Sequence, residues 1–350
     1  MLGRVPRATR PDSTRPASTR DAQPATRCRV YGASVSAVAP APHPAVDAPV
    51  ERARTSPLVA LGIGAAAAVV ALLPWMLTGM RLPLQNLWAT ATLPDDMPFS
   101  LWPFNQYLLE LVFAIAGFAG AVAAVVGRIL RWGARGAWLA TAGMAGVLVV
   151  ALAQSAIVTA GGLDGSRAAT LYLVAFSGAS LLLIACGATL AVIGVTGRRI
   201  AVVAGTFGAI AVGSWLGSVV HPWGVVVLSP VQQVLLLAVT WVPAVLVGAL
   251  LAWCGLRARD AAAWVVSLVV LAVLPAAIVA VGTAIGYRVY WTMPGELVAI
   301  AGETFVRGLT TDAALLAVPS VAIALVIGLL GVGARAWARR RSASAPSAQQ

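Results

Sequence analysis

A short polar segment, PFNQYLLEL at residues 103–111, interrupts an otherwise apolar stretch. It contains two amides, Asn105 and Gln106, and one carboxylate, Glu110. On a helix, Gln106 and Glu110 share a face because they are four residues apart. Such a face predicts a coupling site for a proton or a cation, or a contact with a solute. The alternative is structural, since a carboxylate near a helix N-terminus is stabilised by the helix dipole or reaches the lipid headgroups.

The depth of Glu110 bears on this choice. If its helix starts near Pro103, the carboxylate lies about 10 Å inside it at about 1.5 Å per residue. Keeping it charged against lipid at that depth would cost a few kcal/mol. We therefore expect Glu110 to face the interior of a bundle or to be protonated.

The segment has a second copy, PVQQVLLLA at residues 230–238, which starts 127 residues further along the chain. Gln106 aligns with Gln233, and leucine stands where the first copy has Glu110. We predict that Gln232 and Gln233 lie opposite the first copy at the same site. In the structural interpretation, the amides satisfy free backbone groups at a helix start, behind a proline that has no N–H to lose.

A duplication would explain the two copies. A second match supports it, because ILRWGARGAW at 129–138 is similar to GLRARDAAAW at 255–264. The halves would cover 57–199 and 200–341, and four helices in each half would make them parallel repeats about an axis along the membrane normal. The alternative is a chance match, since Ala, Leu and Val are abundant in this chain.

The composition is that of an integral membrane protein. Of the 350 residues, 60% are apolar and 10% are charged, and the mean hydropathy is +0.88. The apolar residues form runs of about twenty, the length that crosses a hydrocarbon core of about 30 Å. We predict an all-α transmembrane domain at 57–341 with eight spans, at 57–79, 104–127, 137–160, 171–195, 200–220, 233–255, 261–286 and 312–334.

The two ends of the chain lack such runs. Residues 1–56 are rich in Arg, Pro and Ser, and we predict that they and residues 342–350 are disordered tails. The formal charge of +12 would suit a nucleic-acid partner. However, the arginines fall in the tails and the short connections, where membrane topology explains them better. We therefore expect no nucleic-acid partner.

The arginines also predict the orientation. Eleven of them stand in the connections after spans two, four, six and eight, and four stand in the other connections. Because positively charged connections stay inside, we predict that both termini are cytoplasmic. All 24 basic residues are arginine, a usage typical of a GC-rich bacterial genome. The expected location is therefore the bacterial plasma (inner) membrane, as a multi-pass protein.

Several polar residues are predicted on the outer face. The candidates for contact with a solute are His221, Asp95, Asp96, Glu296 and Glu303. Residues 294–309 predict a short helix in the membrane interface, with Leu297, Ala301 and Phe305 on one side and a Glu303–Arg307 ion pair. This helix is either a lid without a specific function or a gate over a cavity. The simpler interpretation of His221 is a polar cap at a helix end.

The remaining features have mainly structural explanations. Gln154 is predicted to bond a neighbouring helix, and GSWLG at 213–217 permits close helix approach. Prolines within the spans are either tolerated kinks or the helix breaks that transporters use, and they are Pro74, Pro243, Pro275 and Pro319. The sequence contains no HExxH, GxSxG, Walker A or dinucleotide motif and no metal-ligand spacing. We therefore assign no catalytic residue, no metal and no cofactor.

Three functions remain open. The first is a permease-like protein that moves or senses a small solute through an outward-facing polar site. The second is a non-transporting scaffold, such as an envelope-assembly or partner-binding subunit, and the third is an intramembrane enzyme. The expected partners are the lipid bilayer, a small solute or proton, and other membrane helices. A transporter requires a cavity that reaches towards the bilayer midplane, whereas a scaffold would be packed solid.

Overall fold

A computed structural model of the chain describes residues 56–312 and 314–344. These residues form α-helices joined by turns and by one long connection between α2 and α3, and no β-strand occurs among them. The helices are α1 (Pro57–Ala71), α2 (Leu73–Met76), α3 (Leu109–Ile129), α4 (Ala134–Gly162), α5 (Arg167–Gly194), α6 (Arg198–Val220), α7 (Pro230–Thr240), α8 (Val242–Cys254), α9 (Ala261–Gly286), α10 (Pro294–Arg307) and α11 (Ala314–Ser344). The predicted tails lie almost wholly outside the described residues.

Seven of the apolar segments are long enough to cross a membrane, instead of the eight that the sequence predicts. The exception is the first, where α1 has only 15 residues and ends before Leu72. Pro74 explains the break, because it has no N–H for the carbonyl of Val70 and its ring clashes with that carbonyl. The described chain therefore has a membrane-protein-like helical architecture of seven long apolar helices and one shorter, broken one.

Successive segments run in opposite directions, so the connections collect at two ends of the bundle. We call these the Trp102 end, which contains residues 77–108, and the Arg128 end, which contains residues 130–133. Pro57 and Arg341 both lie at the Arg128 end, since α1 packs along α4 and Arg335 of α11 bonds Ala252 at the end of α8.

The buried apolar residues form two separate cores. One lies among α1, α3, α4 and α5 and includes Ile115, Met144 and Phe176. The other lies among α6, α8, α9 and α11 and includes Val247 and Leu271. In both, the second apolar segment packs against the fourth, as α3 does on α5 and α8 on α11. The cores match the predicted halves, while the duplication itself remains a prediction.

Close helix approach depends on glycine where α3 crosses α5. A Cβ on Gly120 would overlap the carbonyl oxygen of Gly187, and a Cβ on Gly187 would overlap the carbonyl oxygen of Ala116. The two backbones are therefore in direct contact. Small residues provide this kind of packing in apolar helix bundles.

The connection at residues 80–105 is folded into the bundle, which the sequence did not predict. Four of its side chains are among the largest fully buried side chains of the described residues, namely Leu82, Met97, Trp102 and Phe104. Trp75, in the preceding helix α2, is equally buried. The indole N–H of Trp75 donates to the carbonyl of Ser100 at 2.8 Å. Residues 80–105 therefore close the first core at the Trp102 end.

Ser155 of α4 holds this connection in place. Its hydroxyl oxygen accepts hydrogen bonds from the Ser100 hydroxyl at 2.8 Å and from the backbone N–H of Trp102 at 2.7 Å. The indole N–H of Trp102 donates to the Ser180 hydroxyl of α5 at 3.2 Å. All four residues are buried, so each bond replaces water that cannot reach these groups.

The sequence predicts that Gln154 bonds a neighbouring helix. Instead, Gln154 bonds the connection at residues 80–105. Its Oε1 accepts from the backbone N–H of Leu101 at 2.9 Å, and its Nε2 donates to the carbonyl of Phe99 at 3.0 Å. An amide is suited to this role because it offers a donor and an acceptor to one stretch of backbone.

Helix α10 forms as predicted, with Leu297, Ala301 and Phe305 on its less exposed side. Its direction differs from the prediction of a helix lying flat in the interface. Gly308, just after α10, approaches Ala276, which is ten residues before the end of α9, or about 15 Å back along its axis. Helix α10 therefore runs back along α9 towards the middle of the bundle.

The α3–α5 contact can be tested with one methyl group. Gly187→Ala should lower the free energy of unfolding by about 1–3 kcal/mol, because the new Cβ overlaps the backbone of Ala116. Gly178→Ala on the same helix is the control, since a Cβ there meets no atom within 4 Å. Thermal unfolding of the purified protein in detergent measures both. Equal unfolding temperatures would contradict the described packing.

The buried hydrogen bonds of the 80–105 connection give a second prediction. Ser155→Ala should cost about 1–3 kcal/mol, because it leaves the buried backbone N–H of Trp102 without its acceptor. Thr189→Ala is the control, since the exposed Thr189 hydroxyl bonds only the carbonyl of Ala185 in its own helix. Denaturation followed by tryptophan fluorescence reports the difference, and a loss of similar size in both variants would contradict this role of Ser155.

Candidate functional site

A cavity of about 1090 Å³ lies between α3 and the helices α6 to α11 towards the Trp102 end, and we call it the Glu110 cavity. Most of its wall is apolar. The residues with polar or charged side chains on the wall are Tyr107, Glu110, Ser214, Ser218, His221, Trp223, Thr240, Thr304, Arg307 and Ser320. Concave, mainly apolar sites with a few polar groups are typical of small-molecule binding sites.

The cavity extends from the end of the bundle to its middle. His221 and Trp223 lie at its outer part, beyond the last residue of α6. Its inner wall includes Ile210, ten residues before the end of α6, and Leu271, the eleventh of 26 residues in α9. At about 1.5 Å per residue, the cavity therefore reaches about 15 Å inward.

Glu110 lies on this wall in the first turn of α3. A 3₁₀ turn at Gln106–Leu108 delays the start of the α-helix to Leu109, so Glu110 is nearer the helix start than its sequence position suggested. Its Oε1 accepts a hydrogen bond from the hydroxyl of Ser214 on α6 at 3.1 Å.

The predicted amides of the first copy do not reach the cavity wall. The Oδ1 of Asn105 accepts from the backbone N–H of Tyr107 at 2.9 Å and so caps the 3₁₀ turn. Gln106 is buried, at 5% exposure, and its Nε2 has no partner among the described protein atoms. The 3₁₀ turn changes the register, so Gln106 and Glu110 do not form one polar face on the cavity.

The amides of the second copy satisfy backbone groups instead of lying opposite Glu110. Ser229 and Gln232 form a capping box at the start of α7, and the Nε2 of Gln232 donates to the carbonyl of Val220 at 2.9 Å. Gln233 donates to the carbonyl of Leu228 at 3.4 Å. Pro230 is the first residue of α7, as predicted for a proline at a helix start.

The predicted outer-face residues are distributed differently. His221 lines the cavity, and its Nε2 lies 2.8 Å from the carbonyl oxygen of Val225. Glu303 forms the predicted ion pair with Arg307, at 2.6 Å, and Arg307 lies on the cavity wall. The others are exposed away from the wall, Asp95 and Asp96 in a 3₁₀ turn and Glu296 in the first turn of α10.

Three of the four prolines within the spans lie around this one cavity, namely Pro74, Pro243 and Pro275. The helix is broken before Pro74 and before Pro243, whereas it continues through Pro275. Proline removes the hydrogen bond to the carbonyl four residues earlier, so Pro275 releases the carbonyl of Leu271, which is also on the wall. The sequence contained these prolines but not their common location.

The break before Pro74 has a specific partner on α6. The indole N–H of Trp215 donates to the carbonyl of Ala71 at 2.9 Å, and its ring stacks on Phe118 of α3 at 4.2 Å between centroids. Ser218 and Ser214, on the same helix, contribute hydroxyls to the cavity. Sequence reasoning missed all three residues of α6, because a serine or tryptophan in an apolar run gives no signal by itself.

Comparison with family models, with curated proteins and with solved structures finds no match to this chain.

Water access to the cavity can be measured by cysteine labelling. In a variant whose native cysteines are replaced, Ser218→Cys should react with a membrane-impermeant thiol reagent, because Ser218 lies on the cavity wall. Leu182→Cys is the control, since Leu182 is 65% exposed in the middle of α5, where lipid would surround it. A Ser218→Cys thiol as unreactive as the control would contradict an open, hydrated cavity.

Proposed function

We propose that this chain is a permease-like membrane protein that binds a small solute in the Glu110 cavity, and that the solute has an apolar body and a positively charged group. The observation that carries the proposal is a single exposed carboxylate on the wall of a mainly apolar cavity. The apolar wall would receive the body of the solute, and Glu110 would receive its charge.

The charge balance of the wall supports a cationic solute. Of the described residues on the wall, Glu110 is the only carboxylate, and its recorded partner is the neutral hydroxyl of Ser214. Arg307 is the only arginine there, and Glu303 already neutralises it. The carboxylate of Glu110 is therefore the group on this wall that has no ionic partner.

The helix breaks support movement or sensing rather than simple storage. Helices interrupted near the middle of a bundle are typical of transporters, where the free backbone groups contact the solute. Here the breaks before Pro74 and Pro243 flank the same cavity, and the carbonyl of Leu271 is released beside them.

The two other functions are less well supported. A scaffold would be packed solid, whereas this bundle contains a cavity of about 1090 Å³. An enzyme needs two titratable groups that converge on one point. Glu110 bonds Ser214, which is seven residues, or about 10 Å along α6, from His221. Glu110 and His221 therefore face different depths of the cavity.

A matched set of solutes tests the binding step. Small amines, alcohols and carboxylates that share one apolar skeleton are added to the purified protein, and the unfolding temperature is recorded. The amines should stabilise the protein, because a ligand that binds only the folded state raises its stability. Glu110→Gln should weaken the apparent amine affinity about tenfold or more, since it removes a charge-assisted hydrogen bond.

Glu296→Gln is the matched control, because Glu296 is an exposed acid away from the cavity wall. It should leave the amine response unchanged. Flux of the stabilising amine into proteoliposomes then separates transport from sensing. An equal response to the amine and to the alcohol, or an equal loss in both variants, would contradict the proposal.

A further inference from the structure

A second cavity, of about 870 Å³, lies at the Arg128 end, and we call it the arginine pocket. It is formed by the start of α6, the end of α8, the connection at 255–260 and the last part of α11. It lies at the opposite end of the bundle from the Glu110 cavity. The two cavities share no lining residue.

The pocket is strongly cationic. Six arginines line it, namely Arg198, Arg199, Arg257, Arg259, Arg335 and Arg339. Asp260 is the only carboxylate among the described residues on its wall, and the Nε of Arg199 donates to its Oδ1 at 2.8 Å. Six positive charges against one negative charge leave a formal charge of +5 around one cavity.

The fold holds these arginines together through specific contacts. The guanidinium of Arg198 lies over the ring of Trp253 at 5.0 Å from its centroid. Arg335 donates to the carbonyl of Ala252 at 2.7 Å. Gly255 makes the turn after α8 at a φ of +85°, and its carbonyl accepts from the indole of Trp264 at 2.9 Å. The positive charges are therefore gathered by packed residues and not only by flexible loops.

Gathering like charges is unfavourable unless an anion offsets them. The planar, multiply donating guanidinium matches the oxygens of a phosphate group, which makes arginine clusters typical phosphate sites. Basic pockets between membrane helices recognise anionic lipid headgroups in this way. The chemistry of the wall thus selects an anion with several oxygens.

The neighbouring surface favours a phosphate attached to an apolar chain. Ile200 and Leu256 line the same pocket, and they are 55% and 53% exposed in the absence of lipid. Val332 of α11 completes this apolar side. A soluble anion would gain nothing from these residues, whereas the acyl chains of a phospholipid would cover them.

We propose that the arginine pocket binds the phosphate of an anionic phospholipid, with its headgroup on the arginines and its acyl chains against Ile200 and Leu256. The purified full-length protein in an uncharged detergent is the material for the test. Three probes are compared: phosphatidylglycerol, which is anionic; phosphatidylcholine, whose phosphate is balanced by its own cation; and glycerol 1-phosphate, which has no acyl chain. The unfolding temperature and the lipid retained in native mass spectrometry are the readouts.

Phosphatidylglycerol should be retained and should raise the unfolding temperature, and phosphatidylcholine should do neither. The double variant Arg257→Gln with Arg259→Gln should weaken retention of phosphatidylglycerol about thirtyfold, the factor that two arginines near a membrane surface supply. The matched control is Arg131→Gln with Arg135→Gln, two arginines at the same end that do not line the pocket. It should change retention less than threefold.

Arg339→Gln is a second variant, because it changes α11 and leaves the 255–260 connection intact. It keeps the test valid if the double variant fails to fold. Stabilisation by glycerol 1-phosphate that the double variant abolishes would support a phosphate site and assign it to a soluble ligand. Equal retention of the two phospholipids, or an equal loss in the control double variant, would overturn the proposal.

Discussion

The backbone of this chain must satisfy its hydrogen bonds internally, and this requirement governs every place where it departs from a helix. In apolar surroundings an unpaired N–H or C=O costs several kcal/mol, so an irregular segment needs partners from its neighbours. The break at Ala71 has the indole N–H of Trp215, and the connection near Trp102 has the hydroxyl of Ser155. Trp215 and Ser155 therefore mark two places where irregular backbone lies against an apolar helix.

The Glu110 cavity lies beside two helix breaks, at Leu72 and Trp241. Elsewhere, as between α3 and α5, glycines bring helices into direct backbone contact. Glu110 belongs to α3, at the edge of the first core, whereas Ser214 and Leu271 belong to helices of the second. The cavity is therefore built at the boundary between the two cores, where a small displacement of one against the other would change its shape.

Charge is arranged differently at the two ends of the bundle. At the Trp102 end, the cavity wall carries one carboxylate without an ionic partner, and the ion pair of Glu303 and Arg307 is neutral overall. At the Arg128 end, six arginines and one aspartate surround a single pocket. The first arrangement suits a small cation within the bundle, and the second suits anionic headgroups at its edge. In the two proposals, the arginine pocket anchors the protein to a phospholipid and the Glu110 cavity binds a solute. The two sites share no lining residue.

The sequence by itself determined the features that depend on local composition and period. Apolar runs of about twenty residues predicted the seven long apolar helices. It also predicted Pro230 at a helix start and the ion pair of Glu303 and Arg307, since these depend on neighbours within one or two turns. It did not determine the break at Leu72, because a proline in an apolar run is compatible with either a kink or an interruption.

Only the tertiary structure decided which polar residues meet. Gln106 and Glu110 are four residues apart, yet the 3₁₀ turn rotates Gln106 into the protein and leaves Glu110 on the cavity. Ser214 is 104 residues from Glu110, and Ser155 is 53 from Trp102, so no local pattern connects either pair. Helix packing decides such contacts. The position at which two helices cross depends on small residues along the whole length of both helices, so it cannot be read from the few polar residues that meet there.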